Sequence, residues 1–426
     1  MYRKLPMIFG LCDVNNFYVS CERSFDPRLN DRPVIVLSNN DGCAVARSNE
    51  VKALGVKMGA PLHQIQHLVR QHNFAVFSSN YCLYADMSNR FEMMIEKYTP
   101  NIEKYSCDEM FFQLDGQEHR GNLGAYMRQM VKDIKQGLGL PVCVGLAPTK
   151  TLCKIANHYA KSLSVAGGVL ALFSEYNLKN ALELLPVNEI WGIGRKHSEH
   201  LAKLGITTAL QLRDAERKWI RKRFSVVVER TLMELRGVSC LELTEVADKK
   251  KQIVCTRSFG EKTESKTVLR EAIGYHVSRA CVDLRSQGSV AKSITVGIRT
   301  NPFSKNDAQC VRSITIELPY ASDNTCDFQT AATQALNRIY QTGFKYKKAG
   351  IMLNGLSDKG VVQYDLFHQH QPKDDAIMQV MDQINHRYGK DVLRCASQGF
   401  EASWVMRSER KSPRYTTHWD DVIGVS

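Results

Sequence analysis

The sequence predicts an α/β (α+β) chain of several domains. Three observations predict it. Short apolar strands alternate with amphipathic helices over the first 170 or so residues, the pattern of a mixed sheet with helices packed on it. Residues 176–240 carry helix signals only. Residues 253–353 read strand–helix–strand–strand–helix–strand, the split βαβ, ferredoxin-like order. A length of 426 residues agrees, since it gives a prior of about three domains.

In chain order, MIFGLCDV is near-continuous apolar and reads as a strand, followed by a polar turn and a second strand, PVIVLS, at 33–38. VKALGVKMGAP reads as a short helix closed by Gly59 and Pro61. Leu83, Met87, Phe91, Met94 and Ile95 give a helix over 82–98. Ile102 to Leu114 reads as two strands joined by a tight turn, 123–136 as a helix, and PVCVGLA at 141–147 as a buried strand. From Thr151, Leu152, Ile155, Ala156 and Tyr159 recur at i, i+3, i+4 and i+7, one face of an amphipathic helix. The charged stretch ADKKKQ at 247–252 is a linker candidate, and beyond Gly355 the periodicity fades into an extended, polar tail.

Composition bounds the function. Hydrophobic residues make up 43% and charged residues 24% of the chain, which excludes disorder and collagen-like architecture. No apolar run reaches the roughly 18 residues of a membrane span. The start, MYRKLPMIFGLCDVNN, has an apolar stretch too short for a signal peptide, and it runs into Asp13. Thirteen cysteines, never spaced CxxC, suit a reducing cytosol better than a disulfide framework or a zinc ribbon. The formal charge of +13 points to a polyanionic partner, nucleic acid first and an acidic membrane second.

Three acids stand out. Asp13 ends the first apolar strand, and Asp108 and Glu109 sit in YSCDEMFF at a hairpin apex. Burying carboxylates beside apolar strands is costly without a cation. Adjacent acids point to opposite sides, so both reach one site only if the turn twists. With a third from a neighbouring strand they would form an oxygen-rich site suited to Mg²⁺. Two ions about 4 Å apart can activate a 3′-hydroxyl and steady a leaving pyrophosphate. A bare Asp-Glu pair is a weak motif: taken singly, each acid reads first as an ordinary turn or strand-end acid, and only the surrounding pattern makes it strong.

Lys154, His158 and Lys161 fall at i, i+4 and i+7, opposite the apolar stripe of their helix. GIGRKHSEHLAKLGI at 192–206 reads as helix–hairpin–helix. There Gly192 and Gly194 let backbone approach a phosphate, and helix-start amides can bind it. Residues 195–262 hold 16 Lys+Arg against 9 Asp+Glu, over half of the chain's basic excess.

DVNNFYVSCE (13–22), SNNDGCAVARS (38–48), ALGVKMG (53–59), SSNYCLYADMSNR (78–90), YSCDEMF (105–111), VGLAPTKTLCKIANHYAK (144–161) and WGIGRKHSEHLAKLGI (191–206) occur in that order. Together they resemble the Y-family DNA polymerases. SNNDGC, SSNY, YADMSNR and SPRYTT (412–417) resemble its UmuC branch, the catalytic subunits of bacterial DNA polymerase V and their plasmid-borne relatives. The resemblance runs from about residue 7 to the end.

It implies a right hand: a ferredoxin-like palm at 1–21 and 76–175, small fingers at 22–75, a helical thumb with its helix–hairpin–helix at 176–246, a linker at 247–252, a βαββαβ little finger at 253–355 and a tail at 356–426. Asp13 matches the first metal-binding acid, with the Val14 carbonyl facing the second ion. Asp108 matches the second metal ligand, and Glu109 the acid beside the primer terminus. The implied cofactor is a pair of Mg²⁺ ions, and the implied substrates are dNTPs on primer–template DNA. Tyr18 matches a steric gate against the ribose 2′-hydroxyl, with Phe17 beside it as core.

Lys161 matches the lysine that touches the triphosphate, and Lys154 one nearer the metals. Lys52 stands where many relatives carry a phosphate-binding Arg, with Arg47 nearby and Asn49 in place of a phosphate-binding Tyr. Tyr84 and Ser88 match a YxxxS pair near the triphosphate end. Gly192, Gly194 and Arg195 would meet DNA backbone, as would Arg257 in CTRSFG, the first strand of the little finger. Gln363, Leu366 and Phe367 of QYDLF resemble the pentapeptide that docks in an apolar groove of the bacterial β sliding clamp. The implied partners also include a UmuD′-like homodimer and a RecA-type recombinase, and the implied setting is bacterial, cytoplasmic and nucleoid-associated. The implied function is low-fidelity translesion synthesis in the SOS response. Cys107 departs from the usual Ile or Val. The competing readings are a nucleotide cyclase, which leaves the helix–hairpin–helix and QYDLF unexplained, and a catalytically silent DNA- and clamp-binding scaffold.

Overall fold

A computed structural model describes residues 7–114, 122–162, 167–244, 248–361, 372–389, 391–399, 404 and 406–424. The chain divides into two compact units, residues 1–38, 42–247 and 410–426, and residues 39–41 and 248–409.

The first unit is built on strand β1 (Phe9–Val14) and helix α1 (Phe17–Phe25). Next come β2 (Val34–Leu37), β3 (Ala44–Arg47), α2 (Asn49–Ala53), α3 (Leu62–Gln71) and β4 (Ala75–Ser78). These carry a three-stranded fingers sheet of order β3-β2-β4. Then follow α4 (Tyr81–Glu96), β5 (Ile102–Lys104), β6 (Glu109–Gln113), α5 (Leu123–Leu138), β7 (Val142–Ala147), α6 (Lys150–Ser162) and β8 (Val169–Ala171). The palm sheet runs β5-β6-β1-β7-β8, with β1 antiparallel to both neighbours.

Because side chains alternate along a strand, β1 feeds two cores. Cys12 and Val14 join Met110, Phe112, Met127, Met130 and Phe91 on one face. Phe9 and Leu11 join Phe111, Leu152 and Ile155 on the other. Helix α6 approaches β7 closely at Gly145. A Cβ there would stand 2.3 Å from the Cys153 carbonyl oxygen and 2.4 Å from the Asn157 nitrogen, so only glycine admits the helix. The second core continues into five helices of the thumb: α7 (Glu175–Leu184), α8 (Arg195–Lys203), α9 (Ala209–Asp214), α10 (Arg217–Arg223) and α11 (Val226–Leu235).

The second unit is β9 (Ile253–Thr263), α12 (Lys266–Ser286), β10 (Ser289–Thr300), β11 (Val311–Ser322), α13 (Thr325–Ile339) and β12 (Tyr346–Asp358), the element order read from the sequence. The sheet order is β11-β10-β12-β9, with every neighbouring pair antiparallel. Each helix crossover therefore spans one intervening strand, the split βαβ arrangement. Helices α12 and α13 cover one face through Leu269, Ile273, Val277, Phe328 and Leu336.

Three elements differ from the sequence reading. Helix α1 starts at once after Asn16, whose left-handed φ of 51° turns the chain out of β1, where the sequence reads only as a polar turn. The short helix α2 already ends at Ala53, ahead of Gly55, and a further helix, α3, begins beyond Pro61. The tail is not wholly extended: it holds α14 (Pro372–Tyr388), where Met378 and Met381, at i and i+3, are buried. Among the described residues no helix is long and apolar enough to cross a membrane.

Candidate active site

The three acids meet at one end of the palm sheet. Asp13 is the register partner of Glu109 across β1 and β6, so both side chains leave the same face. That face is the one α6 covers. The Val14 amide donates to the Asp108 carbonyl at 2.9 Å, which ties the acid turn to the end of β1. Ser106 folds back over that turn. Its hydroxyl donates to Asp108 Oδ1 at 2.6 Å and accepts from the amides of Asp108 and Glu109. These bonds fix the turn that carries the two adjacent acids.

Helix α6 supplies the compensating cations. Lys161 Nζ is 2.6 Å from Asp13 Oδ1, and Lys154 Nζ donates to both Glu109 oxygens at 2.9 Å. Lys154 also lies 4.5 Å from the Tyr105 ring centroid and 5.5 Å from that of Trp191, an aromatic box that holds an ammonium well. Asp13 is 7% exposed, and burial pushes its carboxyl up to about 7, with Glu109 and Asp108 adding repulsion and Lys161 opposing. Burial outweighs the ion pair because a charge out of water loses more than one contact returns.

Oxygen donors, one of them already at the edge of protonation, are what a hard divalent cation stabilises, so the residue set fits Mg²⁺. As placed, however, the acids are turned to lysines and to Ser106. Among the described residues no three His, Cys, Asp or Glu side chains are grouped to hold an ion. Binding a metal here therefore means exchanging an ammonium for it.

The nucleotide side lies next to the acids. Tyr18, half-buried on the first turn of α1, faces the Cys107 thiol. Burial, followed by the Cys107 charge, pushes the Tyr18 hydroxyl well above the ordinary phenol range. Lys52 donates to Asn16. Its pKa is lowered by burial first and then by Arg47 and Lys161, so three cations converge. Arg47 donates to the Val56 carbonyl at 2.5 Å, while Asn49 engages Asn16.

Two of the expected contacts stand behind the surface. Tyr84 is buried at 2% exposure, its hydroxyl is committed to Glu22 at 2.6 Å, and its ring is stacked on Tyr18 at 4.3 Å. It backs Tyr18, and Ser88 is equally buried. Arg257 pairs with Ala349, which is 1% exposed, and stands on the same strand face as Ile253 and Phe259 of the core. It lies on the helix-covered side; burial, followed by the charges of Arg257 and Lys348, lowers His276 of α12 to about 4. The open face of that sheet presents Thr256, Arg299 and Lys348 instead.

Gly192, Gly194 and Arg195 are exposed together at the start of α8. The φ of +87° at Gly192 is one that side chains rarely adopt. Gln363, Leu366 and Phe367 lie outside the described residues. Sequence reasoning missed Ser106 and Glu22. Glu22 stands at i+4 from Tyr18 on the same helix, a spacing that pairs side chains and could have flagged it.

The architecture is that of a Y-family DNA polymerase. A solved Y-family chimera of Dbh and Dpo4 superposes with a TM-score of 0.64 at 19% identity, covering 83% of this chain and 100% of that one. An insertion ternary complex of Dbh gives 0.53 at 20% identity over 83% of this chain and 100% of that one. The impB/mucB/samB family matches residues 12–158, its C-terminal domain matches 250–366, and a domain of unknown function, DUF4113, matches 375–425. Protein SamB of Salmonella typhimurium is 44% identical over 97% of this chain and 99% of that one. Protein UmuC of the same species is 41% identical over 98% and 100%. DNA polymerase IV of Moorella thermoacetica is 28% identical over 91% and 94%. The chain belongs to the impB/mucB/samB family, as a UmuC-type Y-family DNA polymerase.

Proposed function

We propose that this polymerase performs low-fidelity translesion synthesis in the SOS response, by two-Mg²⁺ nucleotidyl transfer from a dNTP to a primer 3′-hydroxyl. The convergence of Asp13, Asp108 and Glu109 at one sheet end, under the lysines of α6, carries the reading. Asp13, Asp108 and the Val14 carbonyl would hold the ions, with Glu109 toward the primer. Bound Mg²⁺ would supply Lewis-acid stabilisation of the phosphoryl oxygens and lower the pKa of the attacking hydroxyl.

The chain's own residues do the rest. Lys161 and Lys52 place positive charge where a triphosphate would lie, so charge that spreads in the transition state meets fixed cations. Tyr18 presents its ring to the sugar and leaves no room for a 2′-hydroxyl. The fingers comprise one three-stranded sheet and two short helices. So small a cover checks base-pair shape weakly, which favours damaged templates and lowers fidelity.

Backbone amides at the start of α8, with Gly192, Gly194 and Arg195, would take DNA phosphates without reading sequence. The open sheet face with Thr256, Arg299 and Lys348 would take more. Gln363, Leu366 and Phe367 would engage the β sliding clamp. A UmuD′-like homodimer and a RecA-type filament would be the accessory partners, in a nucleoid-associated cytoplasmic setting.

Primer extension on undamaged and abasic templates, with and without those partners, tests the reading. Asp108→Asn should abolish incorporation and leave salt-dependent DNA binding intact. Equal loss of both would make the acids structural.

A further inference from the structure

The C-terminal SPRYTT segment, part of the domain of unknown function, returns to the catalytic unit. The Arg410 carbonyl accepts from the Ser78 amide at 2.9 Å, and the Arg410 amide donates to the Ser78 hydroxyl at 3.0 Å. Lys411 bridges Ser78 in parallel. Beyond them, the Tyr415 ring stacks on Phe25 of α1, centroids 4.8 Å apart and planes at 10°. Between these anchors Ser412 is buried, at 7% exposure.

Ser412 closes a buried polar chain. Its hydroxyl donates to Glu22 Oε1 at 2.9 Å and accepts from Asn80 Nδ2 at 3.0 Å. The same Asn80 nitrogen reaches the carbonyls of Ser412 and Pro413 at 3.1 Å. Glu22 Oε1 also accepts from the Tyr84 hydroxyl at 2.6 Å. Tyr84 in turn lies flat against Tyr18, centroids 4.3 Å apart and planes at 14°. Glu22 is 2% exposed, so hydroxyl donors must replace the water it lost.

We propose that Ser412 is a positioning residue for nucleotide selection: through Glu22 and Tyr84 it fixes the ring of Tyr18, and the tail segment 410–415 is thereby a structural part of the nucleotide pocket. This rests on Tyr18 acting as the sugar gate. The Tyr18 ring is stacked on Tyr84 and meets Tyr81 edge-on at 6.2 Å, so its placement depends in part on the ring behind it. Tyr84 is packed in the core among Phe17, Tyr18 and Tyr81, and its hydroxyl is anchored to a carboxylate that Ser412 shares. Removing the Ser412 hydroxyl leaves a buried acceptor with a single donor and lets the Glu22–Tyr84 pair drift. Sugar discrimination should then fall before catalysis does.

The test is single-nucleotide incorporation by the full chain, under conditions where the wild type extends primers, with matched ribo- and deoxyribonucleoside triphosphates. Ser412→Ala should raise the ratio of ribo- to deoxyribonucleotide kcat/KM by about tenfold, the value of one lost charge-assisted hydrogen bond. Incorporation of dNTPs should change less than threefold, and Ser412→Thr, which keeps the hydroxyl, should restore the ratio. Tyr84→Phe, which keeps the stacked ring and loses the donor, should shift the ratio the same way, and it carries the test if Ser412→Ala does not fold. Tyr18→Ala is the reference. If Tyr18→Ala raises ribonucleotide use and neither Ser412→Ala nor Tyr84→Phe does, the positioning role is overturned and the gate stands. If Tyr18→Ala changes nothing, the gate reading fails and the positioning role fails with it.

Discussion

Gly145→Ala should convert a packing change of one methyl into a catalytic defect. The added Cβ would lie 2.3 Å from the Cys153 carbonyl oxygen and 2.4 Å from the Asn157 nitrogen, against an ordinary contact of 3.4 Å or more. Both neighbours are α6 backbone, so no rotamer relieves the clash and the helix must retreat by about 1 Å. Helix α6 carries Lys154 and Lys161, which hold Glu109 and Asp13 at 2.9 and 2.6 Å. A shift of that size in a catalytic constellation costs about a hundredfold in rate, and overpacking costs about 1–3 kcal/mol of stability.

Single-turnover dNTP incorporation, with thermal melting of the same preparations, measures both. Gly297→Ala in the second unit is the control, because its Cβ would meet only ordinary contacts at 3.7 Å and beyond. A Gly145→Ala enzyme within threefold of wild type, with an unchanged Tm, would refute the claim that helix approach sets the acid–lysine geometry.

Metal binding should be linked to the proton on Asp13. Its carboxyl is raised to about 7 from an ordinary 3.8, so an ion must displace a proton below that pH. Apparent Mg²⁺ affinity should fall up to about tenfold per pH unit below 7 and level off above it. Calorimetric titration in buffers of different ionisation enthalpy reads the released proton, and a flat affinity from pH 6 to 8 would contradict the linkage. In metal-free protein the sign reverses: the folded state holds the proton more tightly, so the contribution of Asp13 to stability falls as pH rises from about 4 through about 7. On the open sheet face, Arg299→Ala and Lys348→Ala should each reduce the salt slope of DNA binding by about one and weaken all sequences alike. Arg257→Ala should leave the slope unchanged, and an equal effect from Arg257 would return it to the DNA surface.

Much of the catalytic unit was legible because its signals are local. The strand ending in Asp13, the Asp108–Glu109 hairpin and the apolar stripe of α6 are periodicities within one element. The little-finger order was legible for the same reason. What escaped was set by distant partners. Helix α1 follows β1 after only Asn15 and Asn16, since a left-handed Asn16 makes the turn that glycine usually makes. Arg257 looked like a surface cation, yet the strand pairing that puts it opposite Ala349 decides its face. The burial of Tyr84 escaped because a YxxxS spacing says which helix face it is on, not what covers that face. Its bond to Glu22 spans 62 positions, and that of Ser412 to Glu22 spans 390. Tail helix α14 was missed because its apolar face is narrow: Met378 and Met381 are buried, while Ile377 and Val380 are exposed.

Strand β1 divides its side chains between two cores, and Asp13 is the next residue on the Phe9–Leu11 side. A slip of one residue in the β1–β6 or β1–β7 ladder would send Phe9 and Leu11 to the wrong core and turn Asp13 away from Lys161. The chemistry thus has no register of its own; it borrows the one that hydrophobic packing enforces. Core mutations far from the acids should consequently be read first as lost synthesis, in protein that still melts as a folded unit.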